Sequence, residues 1–380
     1  MRSTMFPRAV LATALTTLVN AQIYTLTDDL SYTNFFPAFS FYSGPDPTKG
    51  FVQYQNHTAA ISQNLVGHLE DTKSIFLGVD YTTSSPTGRS SVRLESTKTW
   101  NRGLLIADIL HMPSSQCGSW PAFWLLSGTA EWPVGGEIDI LEGVNDYETN
   151  AVTLHTSTGC VVDNTTVAGG AGQADGVGPA PLFTGDMTTA NCDVKAPNQG
   201  ANVGCSIHAP ASLSGVQMGG DADAKAVKLA SYGTPFNEAG GGVYAMEWTD
   251  SSITVWFFSH ADPNTALLFP SFPSNSTVPD PSQWPSPLAH FSGNGCDFAQ
   301  RFKDMKIIFD TTFCGEWAGR EWEKGGCKAK TGVDTCEKFV EENPEAFTEA
   351  FWEVRGLKWY QKGEGKAKGG VKARGRKYRW

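Results

Sequence analysis

The chain is poor in charge: Asp, Glu, Lys and Arg make up 18% of its 380 residues, against about 25% in an ordinary soluble domain. A low charge content beside 40 Gly and 21 Pro fits many short strands joined by turns better than it fits helical bundles. Among the eight cysteines there is no C-x-x-C pair, and the seven histidines are scattered without the short spacings of a zinc site, so metal-centred chemistry has little support and no metal ligand is assigned. Beyond the N-terminus no apolar run reaches the roughly 20 residues that span a bilayer, and the chain closes on basic rather than hydrophobic residues, which argues against both a membrane span and a lipid-anchor signal. Internal repeats and Ser/Pro-rich linkers are missing too, so neither a solenoid nor a tethered second module is indicated. The net charge of −10 makes nucleic acid a poor partner.

What is present is aromatic surface, with 12 Trp among residues that are 12% aromatic overall. Tryptophan fills cores, and its flat indole can also stack on the apolar face of a sugar ring; composition by itself favours core filling. Residues 1–21 combine Arg2 and Arg8, an apolar run from Ala9 to Val19 and the small-residue site Val19-Asn20-Ala21, the pattern of a cleaved secretory signal, with the mature chain expected to begin near Gln22. Behind such a segment Cys117, Cys160, Cys192, Cys205, Cys296, Cys314, Cys327 and Cys336 read as disulfides of undetermined pairing. Sequons at Asn56, Asn164 and Asn275 suit the same secretory route. Residues 361–380 carry eight Lys/Arg and one Glu; this basic tail is expected to be disordered, so the body is more acidic than the whole.

Apolar or alternating stretches bounded by turn residues recur at 91–94, 104–107, 138–141, 151–154, 243–248, 253–258 and 305–309, the pattern of an all-β sandwich. Residues 159–242 are rich in Gly, Ala, Asn and Asp with weak periodicity, and are expected to form long surface loops held by disulfides. A helical excursion over 337–350, broken at Pro344, precedes a closing strand over 351–360. One domain over 22–360 accounts for all of this.

Residues 135–143 read Gly-Gly-Glu-Ile-Asp-Ile-Leu-Glu-Gly. Strand alternation puts Glu137 and Asp139 on one face and Ile138 and Ile140 on the other. In a regular strand Glu142 would then be driven into the core, a costly place for a charge. A bulge that lets Ile140 and Leu141 share one inward position restores the parity and turns all three carboxylates outward. Like charges held so close raise one another's pKa, as in a cation site or a tuned acid/base pair; a calcium site would draw further oxygen ligands from a compact loop, whereas a row along a strand suits an extended polymer. Hydrolysis of a glycosidic bond with retention needs two such carboxyl groups, one attacking and one protonating.

The stretch Trp132-Pro133-Val134-Gly135-Gly136-Glu137-Ile138-Asp139-Ile140-Leu141-Glu142-Gly143-Val144-Asn145-Asp146 resembles the signature of glycoside hydrolase family 16 in its bulged, laminarinase form. The resemblance continues, in the order of fungal laminarinase-like members, through Asp46-Pro47-Thr48-Lys49-Gly50, Gly88-Arg89-Ser90-Ser91-Val92-Arg93, His111-Met112-Pro113, Trp120-Pro121-Ala122-Phe123-Trp124, Thr153-Leu154-His155-Thr156, Val255-Trp256-Phe257-Phe258 and Thr312-Phe313-Cys314-Gly315-Glu316-Trp317-Ala318-Gly319. It covers roughly 22–360 and leaves the basic tail out. It implies a jelly-roll β-sandwich of two curved antiparallel sheets, concanavalin A-like, with a concave substrate cleft, and endo-hydrolysis of β-1,3 or mixed β-1,3-1,4 glucans with retention. Carried over by position, it implies Glu137 as nucleophile, Glu142 as general acid/base and Asp139 as the assisting carboxylate. Trp120, Trp124, Trp132 and His155 fall where the family lines its cleft, with Arg93 a weaker candidate for a sugar hydroxyl; Trp120 or Trp124 could equally be core, and a lone histidine is more often structural.

The resemblance thus implies a secreted, monomeric endo-β-glucanase acting on a β-glucan polysaccharide without a required cofactor, a structural calcium ion being left open. Two rivals stand beside it: a cell-wall glucan transglycosylase that gives the same intermediate to a sugar, and a lectin-like glucan-binding protein without catalysis.

Overall fold

The computed structural model describes residues 24–163, 183–213, 226–269 and 278–363. The expected signal segment and nearly all of the basic tail lie outside the described residues, as do Asn164 and Asn275; Asn56 is exposed, and its side chain caps a short helix, His57–Ser62, by accepting from the Ala59 N–H at 3.0 Å.

Two eight-stranded antiparallel sheets pack face to face. The sheet that carries the cleft runs in the order Asp186–Thr189, Cys205–His208, Ala151–His155, Glu137–Glu142, Ser119–Ser127, Met305–Phe313, Arg93–Ser96, Phe39–Tyr42. The outer sheet runs Ala289–Ser292, Ser252–Ser259, Gly242–Trp248, Gly103–His111, Trp352–Lys362, Ser74–Leu77, Val66–Leu69, with Tyr24–Asp29 also paired to Trp352–Lys362. This is the β-sandwich that the strand pattern predicts, in the jelly-roll form that the family resemblance implies. Alternate residues of both sheets meet between them: Phe123, Leu125, Ile138, Leu154, Ile207 and Phe309 from one, Leu105, Ala107, Ile109, Met246 and Trp359 from the other, all essentially removed from water. Each large side chain buried this way contributes about 1.5–3 kcal/mol.

The outer sheet is apolar on its second face as well. Leu104, Ile106, Val243, Ala245, Trp256 and Phe258 form a separate cluster there, covered in part by Leu268, Phe269 and Trp284. That double burial is why the segment 104–107 reads as a continuous apolar run rather than an alternating one.

Two expectations are corrected. Residues 159–242 are not loop throughout: Asp186–Thr189 and Cys205–His208 extend the cleft sheet, Ser212–Leu213 pairs with Val227–Lys228, and Gly233–Glu238 is helical. These strands are two to four residues long and are held by backbone pairing and the Cys192–Cys205 disulfide, too short for side-chain periodicity to register. The run at 91–94 also divides: Arg89–Ser91 pairs in parallel with Val52–Tyr54, while Arg93–Ser96 joins the cleft sheet. The closing strand continues through Lys362.

All eight cysteines pair, as Cys117–Cys327, Cys160–Cys296, Cys192–Cys205 and Cys314–Cys336.

Candidate active site

The strand Glu137–Glu142 lies mid-sheet between Ser119–Ser127 and Ala151–His155. Its pairing with Ser119–Ser127 is regular at Glu137, Ile138 and Asp139 and then shifts, with Leu141 opposite Phe123 and Glu142 opposite Ala122. The extra residue is Ile140. Ile138, Ile140 and Leu141 are all within 1% of full burial, while Glu137, Asp139 and Glu142 line a common cleft of about 350 Å³. The bulge thus reverses the facing of Glu142, which plain alternation would have sent into the core.

Each carboxylate has a distinct partner. Trp120 Nε1–H donates to Glu142 Oε1 at 2.8 Å, and Trp132 Nε1–H donates to Glu137 Oε2 at 2.5 Å. His155 Nε2 stands 3.3 Å from Asp139 Oδ2. Burial, followed by the charge of Asp139, pushes Glu137 up to about 7. The same two causes hold Glu142 well above the usual carboxylate range, and burial followed by the charge of Asp310 does so for Asp139. Burial thus holds all three carboxyl groups above their ordinary range, the condition under which one group of a cluster can keep a proton while another is ionised.

Trp120, Trp124, His155 and Arg93 all line the cleft, so the two tryptophans belong to the cleft and not to the core. Trp132 stands apart: it is 42% exposed, lies outside the cleft lining and reaches in only through its indole N–H. Arg93 is already engaged. Its guanidinium sits 5.0 Å from the ring centres of both Tyr42 and Trp124 and pairs with Glu95 at 3.0 Å. A cation held between two rings stiffens that wall of the cleft.

The sequence reading missed several lining residues. Asp310 accepts from Trp124 Nε1–H at 2.7 Å and from the Tyr54 hydroxyl at 3.1 Å, and burial pushes it up to about 6. Asp46 accepts from the Thr312 and Thr48 hydroxyls, each at 2.7 Å. Trp317 meets Trp120 edge to face at 5.7 Å. On the opposite wall Thr153 and Ser206 present hydroxyls 2.9 Å apart. Asp46, Thr153 and Trp317 lie inside stretches that carry the family resemblance, and Asp310 directly follows the apolar run 305–309, where a carboxylate is out of place; those signals could have found all four. Ser206 carries no comparable signal.

A family model described as XgeA-like, catalytic GH16 domain matches residues 39–221 and 188–360. An endo-1,3(4)-beta-glucanase of Arthroderma benhamiae is 40% identical over 341 residues, covering 90% of this chain and 65% of its own length. The chain spans about half the length of most of the curated relatives it matches. Among solved structures, an elongating GH family 16 beta-1,3-glucosyltransferase superposes with a TM-score of 0.71 at 40% identity, covering 89% of this chain and 100% of that one. The GH16 Laminarinase 16A of Phanerochaete chrysosporium, which holds 6-O-glucosyl-laminaritriose in both donor and acceptor sites, superposes at 0.72 with 35% identity, over 89% and 99% of the two chains.

Proposed function

From the premise that the chain belongs to glycoside hydrolase family 16, we propose that it is an endo-β-glucanase cutting β-1,3 or mixed β-1,3-1,4 glucans with retention of configuration. The observation that carries this reading is the row Glu137, Asp139, Glu142 turned into one aromatic-walled cleft by the bulge at Ile140. Glu142, protonated, gives its proton to the departing glycosidic oxygen while ionised Glu137 attacks the anomeric carbon; the C–O bond to the leaving sugar breaks as the glycosyl ester forms. Glu142, now a carboxylate, takes a proton from water as the water oxygen displaces Glu137. Two inversions give net retention.

Asp139 sits between the two with His155 against it and would hold the nucleophile and modulate its charge between the half-reactions. Trp120 and Trp124 offer ring faces and Asp310 a hydrogen-bond acceptor to the bound sugars. The acidic group at Glu137 gains its indole partner from Trp132, so Trp132→Phe should raise the Glu137 pKa and move the low-pH limb of kcat/KM to higher pH; an unmoved limb would show that the contact does not act on the nucleophile.

The chain would act as a secreted monomer. The four disulfides suit an oxidising compartment, and among the described residues no helix is long and apolar enough to cross a membrane.

The functional test is product analysis by NMR on laminarin, lichenan and a galactan. Reducing ends that first appear as the β-anomer from one or both glucans, and none from the galactan, are expected. An α-anomer as first product, or no cleavage of either glucan, would remove the reading. Transfer in place of hydrolysis is favoured by the similarity to an elongating glucosyltransferase, and oligosaccharides longer than the starting one at modest acceptor concentration would select it.

A further inference from the structure

The bulge that aims Glu142 creates a backbone problem that one side chain solves. Strand Ala151–His155 pairs with Glu137, Ile138 and Asp139 only, so past Asp139 the carboxylate strand has no neighbouring strand on that side. The Ile140 carbonyl and the Glu142 N–H would be left buried without partners, which costs about 1–3 kcal/mol for each such group. Asn150, one position before the strand Ala151–His155, is fully buried at this gap. Its Nδ2–H donates to the Ile140 carbonyl at 2.7 Å and its Oδ1 accepts from the Glu142 N–H at 2.9 Å. A carboxamide carries one donor side and one acceptor, as a peptide group does; here it stands in for the missing peptide of the adjacent strand and spans both ends of the bulge.

Asn150 is itself fixed. Its N–H donates to Ser231 Oγ at 3.1 Å and its carbonyl accepts from the Ala209 N–H at 2.8 Å. The Ser231 carbonyl in turn accepts from the Tyr244 hydroxyl at 2.5 Å, and Tyr244 belongs to the outer sheet strand Gly242–Trp248. The clamp is thereby tied across the sandwich to the opposite layer. It reaches the backbone of Glu142, and it makes no contact with Glu137.

We propose that Asn150 is a positioning residue for the acid/base Glu142, holding the bulge so that this carboxyl meets the departing oxygen, and that it has little bearing on attack by Glu137. The proposal rests on the functional reading above. It separates two substrate types, because a glucan leaves as a poor leaving group that needs the Glu142 proton, whereas 2,4-dinitrophenolate departs without one.

The experiment compares wild type, Asn150→Ala and the isosteric Asn150→Asp on laminaritetraose and on 2,4-dinitrophenyl β-laminaribioside. For Asn150→Ala, kcat/KM on laminaritetraose should fall by about 10- to 100-fold, the cost of a small misplacement of a reacting group. On the dinitrophenyl substrate kcat/KM should stay within about threefold, because protonation is not needed there. The dinitrophenyl kcat should fall, since Glu142 also activates the water, and azide should restore it while yielding the β-glycosyl azide. Asn150→Asp keeps the acceptor for the Glu142 N–H and loses the donor to Ile140, and should show the same split in milder form. Equal losses on both substrates, no loss on either, or failure of both variants to fold would overturn the assignment. Wild type cleaving laminaritetraose normally while the variants show no split sinks the role of Asn150 alone; wild type cleaving neither substrate sinks the functional reading and this inference with it.

Discussion

Glu137→Ala should lower turnover of laminari-oligosaccharides by roughly 10⁴- to 10⁶-fold, the range seen when a covalent nucleophile is removed from an otherwise intact site. The loss should sit in kcat far more than in KM, because Trp120, Trp124 and Asp310 still line the cleft. With the dinitrophenyl substrate, azide can occupy the space vacated by the side chain, and a single displacement gives the α-glycosyl azide. Glu142→Ala predicts the opposite stereochemistry: the glycosyl ester still forms from the activated substrate, and azide then displaces Glu137 to leave the β-azide. One pair of variants therefore assigns both roles from two NMR spectra. Full activity in Glu137→Ala, or the same azide anomer from both variants, would end the assignment.

The pairing of Glu137 with a glutamate five positions on was readable from residues alone, because it follows from parity. Three carboxylates among Ile138, Ile140 and Leu141 can share a face only if the strand takes in an extra residue, and the structure places that residue at Ile140. The sandwich was readable where apolar runs are bounded by turn residues, as in Gly242–Trp248 and Ser252–Ser259, although the nine-residue strand Ser119–Ser127, interrupted by Pro121, escaped that pattern. The strands Asp186–Thr189 and Cys205–His208 are four residues each and owe their place to backbone pairing, which side chains do not announce. Asn150 was hidden for a related reason. Its partners are two backbone groups of another strand, and an asparagine before an apolar run reads locally as a turn.

The other expected large effect concerns stability. The Cys117–Cys327 bridge closes a separation of 210 residues, and on the chain-entropy account breaking it costs about 5 kcal/mol. The satellite core that it joins is small, with Phe313, Trp322, Phe339, Val340 and Phe347 gathered around the cysteines of this bridge and of Cys314–Cys336. A cluster of that size has little apolar area with which to offset the loss. The same region leads into the cleft: Cys314 and Gly315 both adopt positive φ, turning the chain from the strand Met305–Phe313 into the segment Gly315–Gly319 that presents Trp317 to Trp120. Replacing Cys117 and Cys327 together by Ala should therefore lower the Tm by roughly 5–10 °C. It should also raise KM for long glucans more than for the dinitrophenyl laminaribioside, since Trp317 adjoins the Trp120–Glu142 pair, where the proposed acid/base would meet the departing chain. Calorimetry and a KM series over chain length read the two effects separately. An unchanged Tm would mean that the satellite core stands without the bridge, and a KM rise uniform across chain lengths would mean that Trp317 does not transmit the loss to the departing sugar.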